Sequence, residues 1–375
     1  MKVNVTPKES NMLPTYLVWV LICSNQIGVG ILGFQRVVAE KAGHDAWISV
    51  ILAGIMAHLT MWVMIKTLKR YPSADLYGIH IDVLGKWLGR LVSLFFILYC
   101  VATATVILRN YIEVIQTWMF PEISTGLFAG VFLFLALYTI LGGIRVIAGY
   151  TFLTVIVVIW LLLDLYYPLQ LAQWYHLQPV MEADFSKIWS GAMAMSLTII
   201  GFEIIYVLYP YIKDKKSVGV SAQFGILLTN LIYLALMVVA LVFFSEGQLA
   251  KTIWATLNLK KMVYLPFLER FEFVAISLWL FVIMPNIMLY SWAAIRGLKR
   301  NFNWNQRKFS YIVIFLIFFS SLFLITRQQI DTLNDIIGRA GLIVSFAYPF
   351  ILYLLVVIKQ AWRRRREAVN DESAP

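Results

Sequence analysis

The sequence predicts an all-α integral membrane protein with ten transmembrane helices, arranged as two inverted halves of five. Three observations carry this. Hydrophobic residues make up 61% of the 375 positions, charged residues only 14%, and mean hydropathy is +0.78. A soluble domain is roughly 45–50% apolar and about 25% charged. Apolar runs long enough to cross a bilayer, which takes about 20 residues each, follow one another with short loops between them. The first and sixth of these runs both carry glycine near their middle. Disorder is excluded, because it needs low hydrophobicity and high charge, and the runs leave no room for a soluble catalytic domain.

The spans are expected at 12–40, 45–68, 88–119, 124–143, 145–167, 186–212, 218–245, 270–298, 308–326 and 333–358. The run from Met12 is too long for a signal segment, and no small-residue cleavage site ends it. A short charged turn is expected at Gly142-Gly143-Ile144-Arg145; without it the count becomes nine or eleven. An odd number of spans per half requires the halves to insert in opposite directions, the plan of a large class of transporters. The chain then divides into a first repeat (1–167), an extracytoplasmic loop (168–185), a second repeat (186–358) and a basic cytoplasmic tail (359–375).

Net charge is +11, from 31 Lys and Arg against 20 Asp and Glu. With the N-terminus inside, most basic residues fall in cytoplasmic segments, among them Lys2, Lys8, Lys69, Arg70, Lys213, Lys215, Lys216, Lys299, Arg300 and the run Arg363 to Arg366. This bias places both termini in the cytoplasm and assigns the charge to topology and anionic lipid, with no nucleic-acid partner. Trp87, Trp118, Tyr166, Tyr167, Trp174 and Trp362 collect at span ends as an interfacial belt. Cys23 and Cys100 lie in apolar runs and form no metal or disulfide pattern. His44, His58, His80 and His176 are scattered, without H-E-x-x-H, and G-x-S-x-G is absent. No enzyme, cofactor or metal site is therefore expected.

The first span reads Asn25-Gln26-Ile27-Gly28-Val29-Gly30-Ile31-Leu32-Gly33. Each glycine costs about 0.8–1 kcal/mol against alanine in a helix, so the segment is a candidate break near the midplane. A break frees N–H and C=O groups that need a partner in hydrocarbon, and a half-helix N-terminus favours an anionic group such as a carboxylate. Close helix packing by small residues would also account for the cluster. Residues 28–33 match G-x-G-x-x-G, but no strand precedes them, so the dinucleotide reading fails.

The sixth span places Gly201 at mid-span with Glu203 beside it. A charge at a helix centre costs roughly 2.5–3.5 kcal/mol on insertion scales. Glu203 is either a functional carboxyl, as a ligand-amine partner, proton site or gate, or a satisfied buried group that locks packing. In the third span, Tyr99 and Thr103 share a face, as do Arg109 and Glu113. The latter two read as an intrahelical ion pair, a buried polar network, or a gate; Asp164, Asp335 and Arg339 are further candidates for such a network. Asn286 and Tyr290 share a face of the eighth span and suit either a ligand or interhelical hydrogen bonds.

The run Gly201-Phe202-Glu203-Ile204-Ile205-Tyr206-Val207-Leu208-Tyr209-Pro210-Tyr211-Ile212, with the Asn25–Gly33 region, resembles the B subunits of spore nutrient germinant receptors. These are relatives of the amino acid–polyamine–cation permeases, and the resemblance spans nearly the whole chain. It implies a LeuT-like fold with a midplane pocket for a small amino acid or similar nutrient. It also implies the inner spore membrane as location, and a membrane-anchored A subunit and a lipoprotein C subunit as partners. The pocket residues it suggests are Gly28, Val29, Gly30, Tyr99, Thr103, Ile199, Ile200, Gly201, Phe202, Asn286 and Tyr290, with Glu203, Arg109 and Glu113 as gating or proton-linked candidates. Family members tend to have polar and aromatic residues at this level; Asn286 stands where the resemblance leads to an expectation of threonine, a departure that leaves the ligand's side chain open. The nutrient's carboxylate is expected near Gly28 to Gly30, and its amine near the carbonyls of Ile199 to Gly201. An H+- or Na+-coupled amino-acid transporter of the same fold is the alternative.

Overall fold

Hydrocarbon offers no partner for a free N–H or C=O, so long apolar segments satisfy their backbones internally as helices. The computed structural model describes residues 3–266 and 268–372, with side chains at 196, 197 and 367–372 outside the description. Lys2 and the last three residues of the expected tail also lie outside it. Among the described residues there is no β-strand, only isolated bridges.

The first half holds α1 (Leu17–Gln26), α2 (Phe34–Ala42), α3 (Ala46–Leu68), α4 (Leu76–Leu84), α5 (Lys86–Trp118), α6 (Thr125–Leu141) and α7 (Ile144–Leu163). A short α8 (Tyr166–Leu169) leads into the loop. The second half begins with α9 (Phe185–Ala194), α10 (Ser196–Ile199), α11 (Ile205–Leu208) and α12 (Val218–Phe243). It continues with α13 (Glu246–Lys251), α14 (Ala255–Lys260), α15 (Phe271–Phe302), α16 (Gln306–Phe323) and α17 (Arg327–Gly341). A π-helical turn over Leu342–Ala347 joins α17 to α18 (Tyr348–Glu372).

Seven helical stretches are long and apolar enough to cross a membrane, and α1 and α6 are shorter apolar helices. The chain is an integral membrane protein. Most expected spans match a helix within a few residues. The first and sixth do not form single helices, because each is interrupted. Gly143, at φ +90°, makes the expected turn between α6 and α7, in a backbone region that favours glycine.

Four features depart from the expectation. α4, whose N-terminus is capped by the Asp75 carboxylate accepting from Gly78 N–H, fills the connection before α5. α13 and α14 fill the connection before α15. α17 begins six residues ahead of the expected apolar start, because Thr326 and Gln329 form a capping box. The basic segment continues α18 as helix through Glu372.

α1 packs against α7, α12 and α15, while α10 packs against α17 and α3. The interrupted segments therefore sit inside a wall of long helices. Outward faces keep apolar side chains exposed, including Phe134, Leu153, Phe315 and Phe319, as a lipid-facing surface requires.

Candidate functional site

α1 ends at Gln26, and Ile27 (φ −92°, ψ 95°) and Gly28 (φ −120°, ψ −150°) leave the helical region before a 3-10 turn over Val29–Leu32. The second interruption falls at Ile200 and Gly201. Gly201 has φ +124°, and a Cβ there would stand 2.4 Å from Asn25 O. Both its conformation and the close approach of α1 thus require glycine.

The two interruptions satisfy each other. Asn25 Nδ2 donates to Gly201 O at 2.7 Å, and Gln26 Nε2 donates to Ile199 O at 2.8 Å. Tyr233 on α12 sets its hydroxyl between Gln26 O (3.0 Å) and Thr198 O (2.9 Å). Asn286 on α15 donates through Nδ2 to Ser24 O (3.0 Å) and Ile27 O (3.2 Å). Carbonyls released by the broken helices are taken up by buried amides and a phenol, as membrane burial demands.

Between the interruptions, α5 and α15 lies a narrow cavity of about 40 Å³. One water needs about 10–15 Å³, so the space holds about three, and anything larger enters only as the walls move. Gly28, Val29, Gly30, Thr103, Ile200, Asn286 and Tyr290 line it, all expected site residues. Asn25, Gln26, Asn110 and Thr198 line it too, with Val106 and Ile107, and these were not among the expected residues. Asn25 Oδ1, Gln26 Oε1 and Asn286 Oδ1 have no hydrogen-bond partner. A buried polar atom left unpaired costs about 1–3 kcal/mol.

Tyr99, Ile199, Gly201 and Phe202 do not line the cavity. Ile199 and Gly201 present their carbonyls to Gln26 and Asn25 instead, and Phe202 packs edge-on to Phe346 with ring centres 5.4 Å apart. Tyr99 donates to Glu203 Oε1 at 3.0 Å, and Tyr290 to the same oxygen at 2.7 Å. Glu203 Oε2 accepts from Ser345 Oγ (3.0 Å) and Gly201 N–H (2.7 Å). Glu203 is fully buried. Its four partners come from α5, α15, the π-helical turn and the second interruption. These four bonds satisfy the carboxyl and tie four segments together.

Arg109 and Glu113 form no direct ion pair among the described salt bridges. Arg109 Nε donates to Leu324 O at 2.6 Å and Nη1 to Gln116 at 3.3 Å, while Glu113 pairs with Arg327 at the start of α17. Helical spacing places Arg109 and Glu113 on one face, but α17 supplies Glu113 with a closer cation. Below this pair, Asn110 and Asn334 exchange amide hydrogen bonds at 2.7 and 3.1 Å. The α5–α17 seam therefore carries two polar layers on the cavity's flank. Asp164 pairs with Lys260 of α14, and Asp335 and Arg339 are exposed, so none of the three joins this network.

Residues 12–330 match the family described as spore germination protein. The chain belongs to the spore germination protein family. Among its relatives, spore germination protein GerQB of Bacillus cereus is 38% identical over 358 residues, covering 96% of this chain and 99% of that one. Spore germination protein A2 of Bacillus subtilis (strain 168) is 23% identical over 344 residues, covering 91% and 94%. Spore germination protein B2 of the same organism is 25% identical over 362 residues, covering 94% and 97%. Two solved transporter structures share the fold of this germination protein. A Na+-coupled sialic acid symporter, substrate-bound and outward-open, superposes with a TM-score of 0.66 at 12% identity, over 92% of this chain and 79% of that one. Mhp1, a nucleobase-cation-symport-1 family transporter in a closed conformation with bromovinylhydantoin bound, gives 0.62 at 12% identity, over 91% and 78%.

Proposed function

We propose that this chain is the nutrient-sensing membrane subunit of a spore germinant receptor. It takes a small amino acid or similar nutrient into the cavity between the two interrupted helices and passes the signal to partner subunits. The carrying observation is that cavity, walled by both interruptions and by unpaired buried amide oxygens. In this reading the ten spans form an inverted five-plus-five repeat in the inner spore membrane, with both termini cytoplasmic. A membrane-anchored A subunit and a lipoprotein C subunit receive the signal. Binding acts through a difference in affinity between resting and active states.

The second reading, an H+- or Na+-coupled amino-acid transporter, draws on the Na+-coupled symporter among the fold neighbours. Unwound carbonyls in such transporters coordinate the ion. Here Asn286 donates to the carbonyls of Ser24 and Ile27, which supports sensing without a coupling ion. The test is substitution in the cavity wall. Gly28→Leu and Gly30→Leu should abolish the nutrient response of spores while leaving the protein in the membrane. Normal response at normal protein level in both would move the site elsewhere.

A further inference from the structure

A groove at the basic end of α18 lies apart from the nutrient cavity. It has a volume of about 300 Å³ and runs between α18 and the end of α4. Its floor is apolar, built from Val83 and Leu84 on α4 and from Leu355 and Ile358 on α18. Helical spacing puts Ile351, 54% exposed, on the same stripe one turn further into the apolar stretch. The rim is basic. Lys359, Arg363 and Arg366 line it with Trp362 between them, and among the described residues no Asp or Glu does.

The three cations are not equivalent. Arg363 pairs with Asp82 of α4, whose other oxygen accepts from Tyr71 at 2.9 Å. Lys359 and Arg366 have no ion pair or hydrogen bond among the described residues. Two positive charges therefore stand uncompensated above an apolar floor. Arg364 and Arg365 do not line the groove; at about 3.6 residues per turn, Arg364 falls on the face of α18 opposite Leu355. Lys359 and Arg366 are also not needed to seat the helix. Arg70, just beyond α3, exchanges hydrogen bonds of 2.8 and 3.1 Å with Gln360, and Arg363 holds α4.

We propose that this groove binds one anionic phospholipid, with its phosphate between Lys359 and Arg366 and an acyl chain along Ile358, Leu355 and Ile351. Lysine and arginine are the side chains that recognise phosphate, one as a point charge and the other as a fork of donors. Tryptophan gathers at the membrane–water boundary, so Trp362, 64% exposed, sets the rim at headgroup depth. The oily floor favours a lipid over a free anion. A basic run beside a span attracts anionic membranes diffusely, and the sequence-based expectation gave that role to the whole run Arg363 to Arg366. The groove narrows it: Lys359 joins the site, and Arg364 and Arg365 leave it.

The test titrates the purified full chain in neutral detergent with dioleoylphosphatidylglycerol or dioleoylphosphatidylcholine and counts retained lipid by native mass spectrometry. One phosphatidylglycerol should bind at least about tenfold more tightly than phosphatidylcholine, since each basic residue near an anionic headgroup contributes about fivefold. Lys359→Gln combined with Arg366→Gln should weaken phosphatidylglycerol about tenfold or more. Arg364→Gln combined with Arg365→Gln removes the same charge from the same helix and should weaken it less than about threefold. Lys359→Arg combined with Arg366→Lys should bind as the wild type does. Equal losses in the two glutamine pairs would overturn the site in favour of diffuse attraction by the tail. Equal binding of the two lipids would remove headgroup recognition and overturn it as well. Displacement of the lipid by inorganic phosphate at the same concentration would replace the lipid with a free anion. Loss of binding in the charge-conserving pair would make these two positions structural and withdraw the assignment.

Discussion

Gly201→Ala should destabilise the protein by at least about 1–3 kcal/mol from backbone strain alone. The methyl group would in addition press on Asn25 O, 2.4 Å from the ideal Cβ. Gly28→Ala should be mild, since its Cβ would meet Asn286 Oδ1 at an ordinary 3.8 Å. Thermal unfolding of the two variants in detergent separates them, and equal losses would contradict the close approach. Glu203 gives a second contrast. Gln can keep an oxygen toward Gly201 N–H while Tyr99 and Tyr290 rotate to accept from its amide, so Glu203→Gln should fold. Leu would leave four donors facing an apolar side chain, at about 1–3 kcal/mol each. Glu203→Leu should therefore be scarce in membranes, and membrane levels as high as those of Glu203→Gln would contradict the four-bond account. The sequence exposed Glu203 as a buried carboxyl but hid its role. Ser345 lies 142 residues away, and no local pattern pairs them.

At the scale of elements, α17 links the parts of the site. Its first turn carries Arg327 against Glu113, its middle carries Asn334 against Asn110, and the turn that follows carries Ser345 against Glu203. The Glu113–Arg327 pair is partly exposed, and such pairs contribute about 0–1 kcal/mol. Glu113→Gln should thus leave the melting temperature nearly unchanged but shift the nutrient dose curve, if α17 moves against α5 on binding. A wild-type dose curve would remove this seam from the response. The long helices were legible because apolar length alone specifies them. α4, α13 and α14 were not, because at six to nine residues none gives an apolar run of spanning length, and α4 and α13 are started by side-chain caps. The interruption in the first span was legible from its glycines and amides. That Asn25 and Gln26 reach the sixth span was not, because helix-to-helix approach follows from packing.

At the scale of the whole molecule, the proposed sensing role requires a transporter-like fold to bind a nutrient and signal without carrying it across. Amides and phenols meet the freed carbonyls, and the cavity is small in this conformation. Response should require the A and C subunits, and pocket substitutions should abolish it while complex assembly persists; co-purification of the subunits checks this, and lost assembly would assign those substitutions to folding. The most direct measurement is uptake and binding by the purified chain in proteoliposomes. Labelled glycine, L-alanine and L-valine are followed under separately imposed H+ and Na+ gradients, with protein-free liposomes as control. Saturable binding of at least one of them, with no accumulation above the control, is the expected result. Accumulation that collapses when one gradient is removed would contradict it and make the chain a transporter.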